Sequence, residues 1–224
     1  MTHDAENPRP RRVRQDGLRT RNAILREAVS LATVDGLEGL SIGNLAKALG
    51  MSKSGLYAHF GSKEELQLAT VEEAARIFQA EVVDPAVTAP PGIDQLLATC
   101  DAFFDHLLRR TFPGGCFFAS AALEMGTRPG PVKQRIAVFQ TAFAALLHQF
   151  ATTAIQQHQL SADEDPAQLT FELNGIILAA DVSFVFNNDP QALDVARQVV
   201  RRRLGVRDRQ PATLAAGSSA DKNG

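Results

Sequence analysis

The sequence predicts an all-α fold, with a small N-terminal domain of short helices and a larger C-terminal helical domain. Apolar residues recur every three or four positions through the body of the chain, the period of an α-helix rather than the alternation of a strand. No Asn-Gly-type dipeptide joins two alternating runs, so no hairpin is expected. Serines and glycines punctuate the first third of the chain where helices would start and stop.

The first helix is expected over 20–35, with Ile24, Ala28, Leu31 and Ala32 on one face and Gly36 as its stop. Ser41 caps a second helix carrying Ile42, Leu45, Ala46 and Leu49, closed by Gly50. Ser52 caps a third, short helix that ends near Phe60. Ser62 and Glu65 make an S-x-x-E capping box for a fourth, which continues towards Val83. Two short helices joined by Gly50-Met51-Ser52 between longer ones form the pattern of a helix-turn-helix. A loop over 84–92 separates these from a fifth helix over 93–110, which Phe112-Pro113-Gly114-Gly115 follows as a break. A short helix over 116–125, two long ones over 132–159 and 166–187, and a last over 190–204 complete the chain. The expected units are a disordered basic arm over 1–17, the helix-turn-helix domain over 18–66, the larger domain over 67–205 and a disordered tail over 206–224.

The net charge of −2 does not by itself suggest nucleic acid, but its distribution does. Met1 to Arg26 holds seven arginines against three acids, and a basic end on an acidic body points to a polyanion met by one end of the molecule. Two widely spaced cysteines, Cys100 and Cys116, exclude a disulfide scaffold and a CxxC motif. Reduced thiols and a cytoplasmic location are expected. The charged, proline-containing N-terminus does not fit a signal peptide, and the apolar run 175–186, broken by Asp181, is too short to span a bilayer. No cofactor is implied, and His106, His148 and His158 lack metal-ligand spacing.

The third helix holds Tyr57, the single tyrosine of a chain with 13 phenylalanines and no tryptophan. On a helical wheel Leu56 and Phe60 share the inward face, Ser54, Gly55 and Ala58 the outward face, and Tyr57 and His59 flank it. A bare outer surface between two hydrogen-bonding flanks has the shape that fits a DNA major groove between its phosphate ridges. Lys53 and Lys63 open the third and fourth helices. A cation there opposes the helix dipole, so a bound anion such as a phosphate would complete the site. Short helix pairs with serine caps also occur in all-α proteins of other function, and Tyr57 alternatively packs half-buried.

At these residues the chain resembles a family. The segment 20–68, with "LSIGNLAKALGMSKSGLYAHFGSKEELQLA", resembles the DNA-binding domain of the tetracycline-repressor (TetR) family of bacterial transcriptional regulators. The stretch "FPGGCFFASAALEMGTRPGPVKQR" is similar, less specifically, to the C-terminal ligand and dimerisation domain of one branch. The resemblance implies a homodimer that binds a palindromic operator in double-stranded DNA, usually as a repressor released by a small effector. It implies base contacts from Lys53, Ser54 and Gly55, and phosphate contacts from Ser41, Tyr57, His59 and Lys63. Gly43 and Gly55 replace larger side chains of some relatives. Arg11, Arg12 and Arg14 could compensate by entering a minor groove, or form a solvated tail.

In the larger domain, the helix over 166–187 is apolar nearly all round, so both sides need cover, one of them from a partner chain. Phe104, Phe117 and Phe143 are pocket candidates, although phenylalanines at helical spacing also build plain core. Glu124, Asn174 and Asp181 each need a partner if buried, either a ligand or an intrachain group. Cys116, at a helix start, could line a pocket as a reactive thiol or as an inert core residue. The competing functions are a non-specific nucleoid-type DNA binder and an all-α enzyme. No nucleophile–base pair, glycine-rich phosphate loop or metal cluster supports the enzyme.

Overall fold

The computed structural model describes residues 9–206, with side chains from Gly17 onward except Leu18. Ten α-helices and no strand occur among the described residues. The N-terminal domain comprises α1 (Arg9–Asp35), α2 (Ile42–Leu49), α3 (Lys53–Tyr57) and the start of α4 (Lys63–Phe78). A five-residue π-helical segment (Gln79–Val83) and α5 (Asp84–Val87) prolong α4. The larger domain follows with α6 (Ile93–Leu108), α7 (Phe117–Met125), α8 (Pro131–Gln156), α9 (Pro166–Phe186) and α10 (Gln191–Arg203).

Local chemistry accounts for the short helices. Ser41 Oγ accepts from Asn44 N, and Asn44 Oδ1 accepts from Ser41 N at 2.7 Å, a reciprocal box that closes the start of α2. Gly50 ends α2 in the left-handed region (φ 62°), a conformation that costs glycine nothing. Ser52 Oγ accepts from Gly55 N to start α3. At α4, Ser62 Oγ accepts from Glu65 N, while the Glu65 carboxylate reaches past the cap residue to Gly61 N at 2.9 Å.

Two expectations change. Helix α1 starts at Arg9 and not near Thr20, so helical backbone replaces the expected disorder over 9–17. Arginine, leucine and glutamine form helix well, and Pro10 is tolerated in a first turn. Residues 1–8 and 207–224, the rest of the expected arm and tail, lie outside the described residues. The expected loop after the fourth helix is itself helical as far as Val87, because Pro85 lies in the first turn of α5 and removes no needed N–H.

One continuous core joins both domains, from Ile24, Ala28 and Leu45 through Leu56 and Phe60 to Phe103, Leu147 and Leu173. Helix α4 packs on both α1 and α8. Close backbone approach fixes a second junction. Gly114 lies against the end of α1, where a Cβ would overlap the Thr33 carbonyl, and its N–H donates to Thr33 Oγ1 at 3.2 Å.

In the π-helical segment, Glu81 Oε2 accepts from Thr111 Oγ1 and pairs with His106 Nδ1 at 2.8 Å. Burial pushes the His106 imidazole below its usual pKa, with the Glu81 hydrogen bond opposing.

Gly114→Ala is expected to destabilise the fold by about 2 kcal/mol or more, since backbone must move to admit the methyl. Gly17→Ala, inside α1 with open space around its Cβ, is expected to stabilise it by up to about 1 kcal/mol. Urea unfolding of both variants measures this. No gain at residue 17 would place it outside the helix.

Candidate functional site

The face of α3 has the surface its sequence implies. Leu56 and Phe60 are buried, and Lys53, Ser54, Tyr57 and Ala58 are exposed, Tyr57 to 56%. Gly55 and His59 are half-buried. A large phenol held in solvent at this position is not core packing, so its hydroxyl is available to an outside partner. Phe60 anchors the turn after α3 beneath the Arg21 guanidinium, 5.0 Å above its ring.

Around this face several polar groups are already engaged. The Ser41 hydroxyl lies 2.9 Å from Asn44 Oδ1 while accepting from Asn44 N. Lys53 runs across Gly43, where a Cβ would sit 3.5 Å from Lys53 Cε. Lys63 Nζ donates to Glu38 O at 2.6 Å and to Glu38 Oε2 at 3.2 Å. The anion that the start of α4 calls for is thus a carboxylate of the chain itself. Lys63 holds the Glu38 carboxyl below its usual pKa, with slight desolvation opposing and Gln67 and Arg128 adding to the shift. Side chains of Arg11, Arg12 and Arg14 lie outside the described residues, although their backbone belongs to α1.

The larger domain encloses a cavity of about 590 Å³, lined from α4, the π-helical segment, α6, α7, α8 and α9. Its wall is mostly aromatic and aliphatic, with Phe78, Phe103, Phe118, Phe139 and Phe143 contributing rings. Phe78 meets Phe103, Phe118 and Phe143 edge-on with centroids 5.3–6.3 Å apart. The polar lining is Gln79, Gln140, Asn174 and Asp181, with the Cys116 thiol beside them.

Four sequence candidates, Cys116, Phe143, Asn174 and Asp181, meet at this cavity. Asn174 Nδ2 donates to Thr170 O at 3.1 Å, and Asp181 Oδ1 accepts from Cys116 N at 3.0 Å. Burial raises the Asp181 carboxyl above its usual range, with that N–H opposing. Burial also pushes the Cys116 thiol up to about 12, so at neutral pH it is an inert protonated side chain rather than a nucleophile.

The other three candidates fall outside the cavity wall. Phe104 is fully buried under the Arg197 guanidinium, and Phe117 packs on Phe112 and Phe118. Glu124 points the opposite way, into the N-terminal domain. Its two oxygens accept from Leu37 N at 2.7 Å and Glu38 N at 2.9 Å. Glu38, Gln67 and Arg128 carried no signal as site residues, because their partners lie far along the chain. Asn44 did carry one, since it stands three residues after a serine cap.

Between α9 and α10 lies an uncovered apolar surface. Phe171, Leu178, Val182 and Phe186 on α9, with Val195 and Val199 on α10, are exposed. Among the described residues α9 is long and apolar enough to cross a membrane, which the apolar run alone did not suggest. Its other side forms core through Leu169, Leu173, Ile177 and Phe184, and α8 and α10 pack against it.

A short, bare-faced helix after a capped partner, set on a larger helical domain with an apolar cavity, defines a helix-turn-helix regulator. Family comparison agrees. Residues 24–70 match the model for bacterial regulatory proteins of the tetR family, and residues 92–200 match the tetracyclin repressor-like C-terminal domain. The chain belongs to the tetR family of DNA-binding, ligand-responsive transcriptional regulators. Among solved structures, a TetR regulator from Chloroflexus aurantiacus superposes with a TM-score of 0.78 at 22% identity, covering 85% of this chain and 96% of that one. A TetR-family regulator from Cytophaga hutchinsonii gives 0.73 at 18%, covering 86% and 96%. AibR, solved with isovaleryl coenzyme A and operator DNA, gives 0.65 at 24%, covering 81% and 97%. No curated protein matches the chain.

The Asp181 carboxyl generates a pH test. A carboxyl whose folded pKa is raised favours the folded state fully below its unfolded pKa, near 3.9, and loses that contribution as pH rises through the folded value. Asp181→Asn removes this titration. The variant is expected to gain on wild type with rising pH, by about 1.4 kcal/mol for each pH unit separating the unfolded and folded pKa values, then level off. Urea midpoints from pH 4 to 8 measure it, and parallel curves would refute it.

Proposed function

We propose that a homodimer of this chain binds a palindromic operator through α3 and is released when a small effector fills the α4–α9 cavity. In this reading Lys53, Ser54 and Gly55 meet base edges, and Tyr57, His59 and the cap at Ser41 meet phosphate. Lys63 exchanges Glu38 for a phosphate on binding, and the α1 extension with Arg11, Arg12 and Arg14 adds positive charge towards the DNA. In this reading the helix-turn-helix domain ends inside α4 near residue 66. The chain regulates transcription without catalysis, and its place is with the chromosome in the cytoplasm. The exposed stripe of α9 and α10 is then covered by the same stripe of the partner, as two-fold symmetry requires. Gly175 lies in that stripe with open space at its Cβ, which favours close approach of two helices.

The observation that carries the ligand-responsive reading is the position of α7. Ala119, Ala122 and Leu123 line the cavity, while Glu124 of the same turn holds the backbone of Leu37 and Glu38. A ligand that moves α7 therefore moves the α1–α2 junction, and by linkage operator DNA disfavours that ligand by the same factor.

Selection from random duplexes at physiological salt tests the dimer and the operator together, with recovery of a palindrome expected. On the recovered site, Lys53→Ala is expected to cost about 1–3 kcal/mol and relax one base position. Lys63→Ala is expected to weaken all sequences alike and lower the salt slope by about 1. Unchanged binding by Lys63→Ala would leave that lysine as a structural partner of Glu38 alone.

Glu124→Gln keeps the size but replaces one acceptor oxygen by a donor facing a backbone N–H. Operator affinity is expected to change by about 1–3 kcal/mol, measured by fluorescence anisotropy, with the cavity unaltered. Wild-type affinity in this variant would remove α7 as the route.

A further inference from the structure

The charge of the cavity wall says which class of molecule it takes. We propose that the effector is an aromatic or bulky apolar amine, cationic at neutral pH, whose N–H groups bind the carboxylate of Asp181. The inference rests on the cavity being the effector site.

Among the described residues no lysine, arginine or histidine lines the cavity, and Asp181 is its single acid. Its carboxylate is buried, and its one hydrogen bond among those residues comes from Cys116 N. A carboxylate has about four acceptor positions, so most of its capacity is unused, and the residue lines the cavity. An ionised carboxylate held in apolar surroundings without a cation is costly, and a cation brought by a ligand offsets that cost. The same charge repels anionic ligands, and the wall holds no cationic group to receive a phosphate or carboxylate. Rings of Phe78, Phe103, Phe118, Phe139 and Phe143 suit an aromatic body, and their faces attract a cation. Leu123 lines the cavity and reaches solvent, which places its mouth beside α7.

The position of Asp181 also links charge to response. Its partner N–H belongs to Cys116, two residues from Gly114, which is packed on Thr33 at the end of α1. Gly115 between them has φ 92°, and a Cβ there would press on Asp181 Oδ1 and Val185. An ammonium that draws the carboxylate into the cavity therefore pulls on the loop that touches the DNA-binding domain.

Three fluorescent probes with one skeleton test the class: 1-pyrenemethylamine, 1-pyrenemethanol and 1-pyrenecarboxylate, titrated into the full-length protein at neutral pH. The amine is expected to bind at least about tenfold more tightly than the alcohol, and the carboxylate most weakly. In Asp181→Asn the alcohol should keep its affinity and the amine should fall to match it. A second measurement uses wild type alone. As pH falls and Asp181 takes a proton, affinity for the amine should drop while the alcohol is unaffected. Cys116 is the other titratable group in the wall and stays neutral throughout.

Equal binding of amine and alcohol by wild type would overturn the charge assignment and leave the cavity reading standing. A preference that survives Asp181→Asn would remove Asp181 as the counter-ion. Failure of all three probes to bind would overturn the cavity reading and the assignment with it.

Discussion

The carboxylate of Glu124 on two backbone N–H groups is the constraint on which the placement of the DNA-binding helices depends. Leu37 and Glu38 sit in the short connection between α1 and α2, where backbone donors have no helical partner. Glu124 supplies that partner from the other domain. Around it, Glu38 turns its own carboxylate to Lys63 and Arg128, and Gln67 donates to Leu37 O. A small cluster of polar groups thus ties the α1–α2 connection to the larger domain, beside the apolar core that holds α2 and α3. Polar contacts of this kind are discrete: each is either made at good geometry or lost, which suits a junction with two positions.

The cavity and the junction share backbone as well as side chains. The π-helical segment after α4 widens the helix by one residue and turns Gln79 and Val83 towards the cavity while Glu81 reaches His106. Helix α4 itself begins at Lys63, bonded to Glu38 at the α1–α2 connection, and ends at Phe78 in the cavity wall. A single rigid rod therefore has one end in each site. At the second junction, Gly114 lies against the Thr33 carbonyl, so displacement there passes between backbones as well as through the Thr33 hydroxyl.

Much of the N-terminal domain was legible in the sequence because its signals are local. Ser41, Gly50, Ser52 and Ser62 act within four residues of themselves, and all four do in the structure what their spacing implies. Leu56 and Phe60 were placed by one turn of helix. The cavity was legible only in part. Phe143, Asn174 and Asp181 line it, yet Phe104 and Phe117 do not, because helical spacing shows that a residue faces inward without showing whether core or cavity lies there. Glu124 reads as a buried acid in search of a partner, and that partner lies 87 residues away in the chain. Lys63 reads as a cation in want of an anion, and no local pattern says that Glu38 stands beside it. The extension of α1 over Arg9 to Gly17 was not legible because proline and mixed charge near a helix start suggest disorder while still permitting helix.

If Lys53 meets base edges as proposed, its contact with Gly43 makes two positions on neighbouring helices into one reading unit. The lysine stem occupies the space that a side chain at 43 would take, with 3.5 Å between Cε and the place of a Cβ. An alanine fits there, whereas anything longer would turn the ammonium aside. Substitutions at these positions are then expected to be coupled: in the proposed reading, the vocabulary of bases that Lys53 can reach is set by the emptiness of residue 43. On that reading, a lineage that gained a contact at 43 would have to surrender the proposed one at 53, so operator preference would shift in a single jump and not by gradual drift.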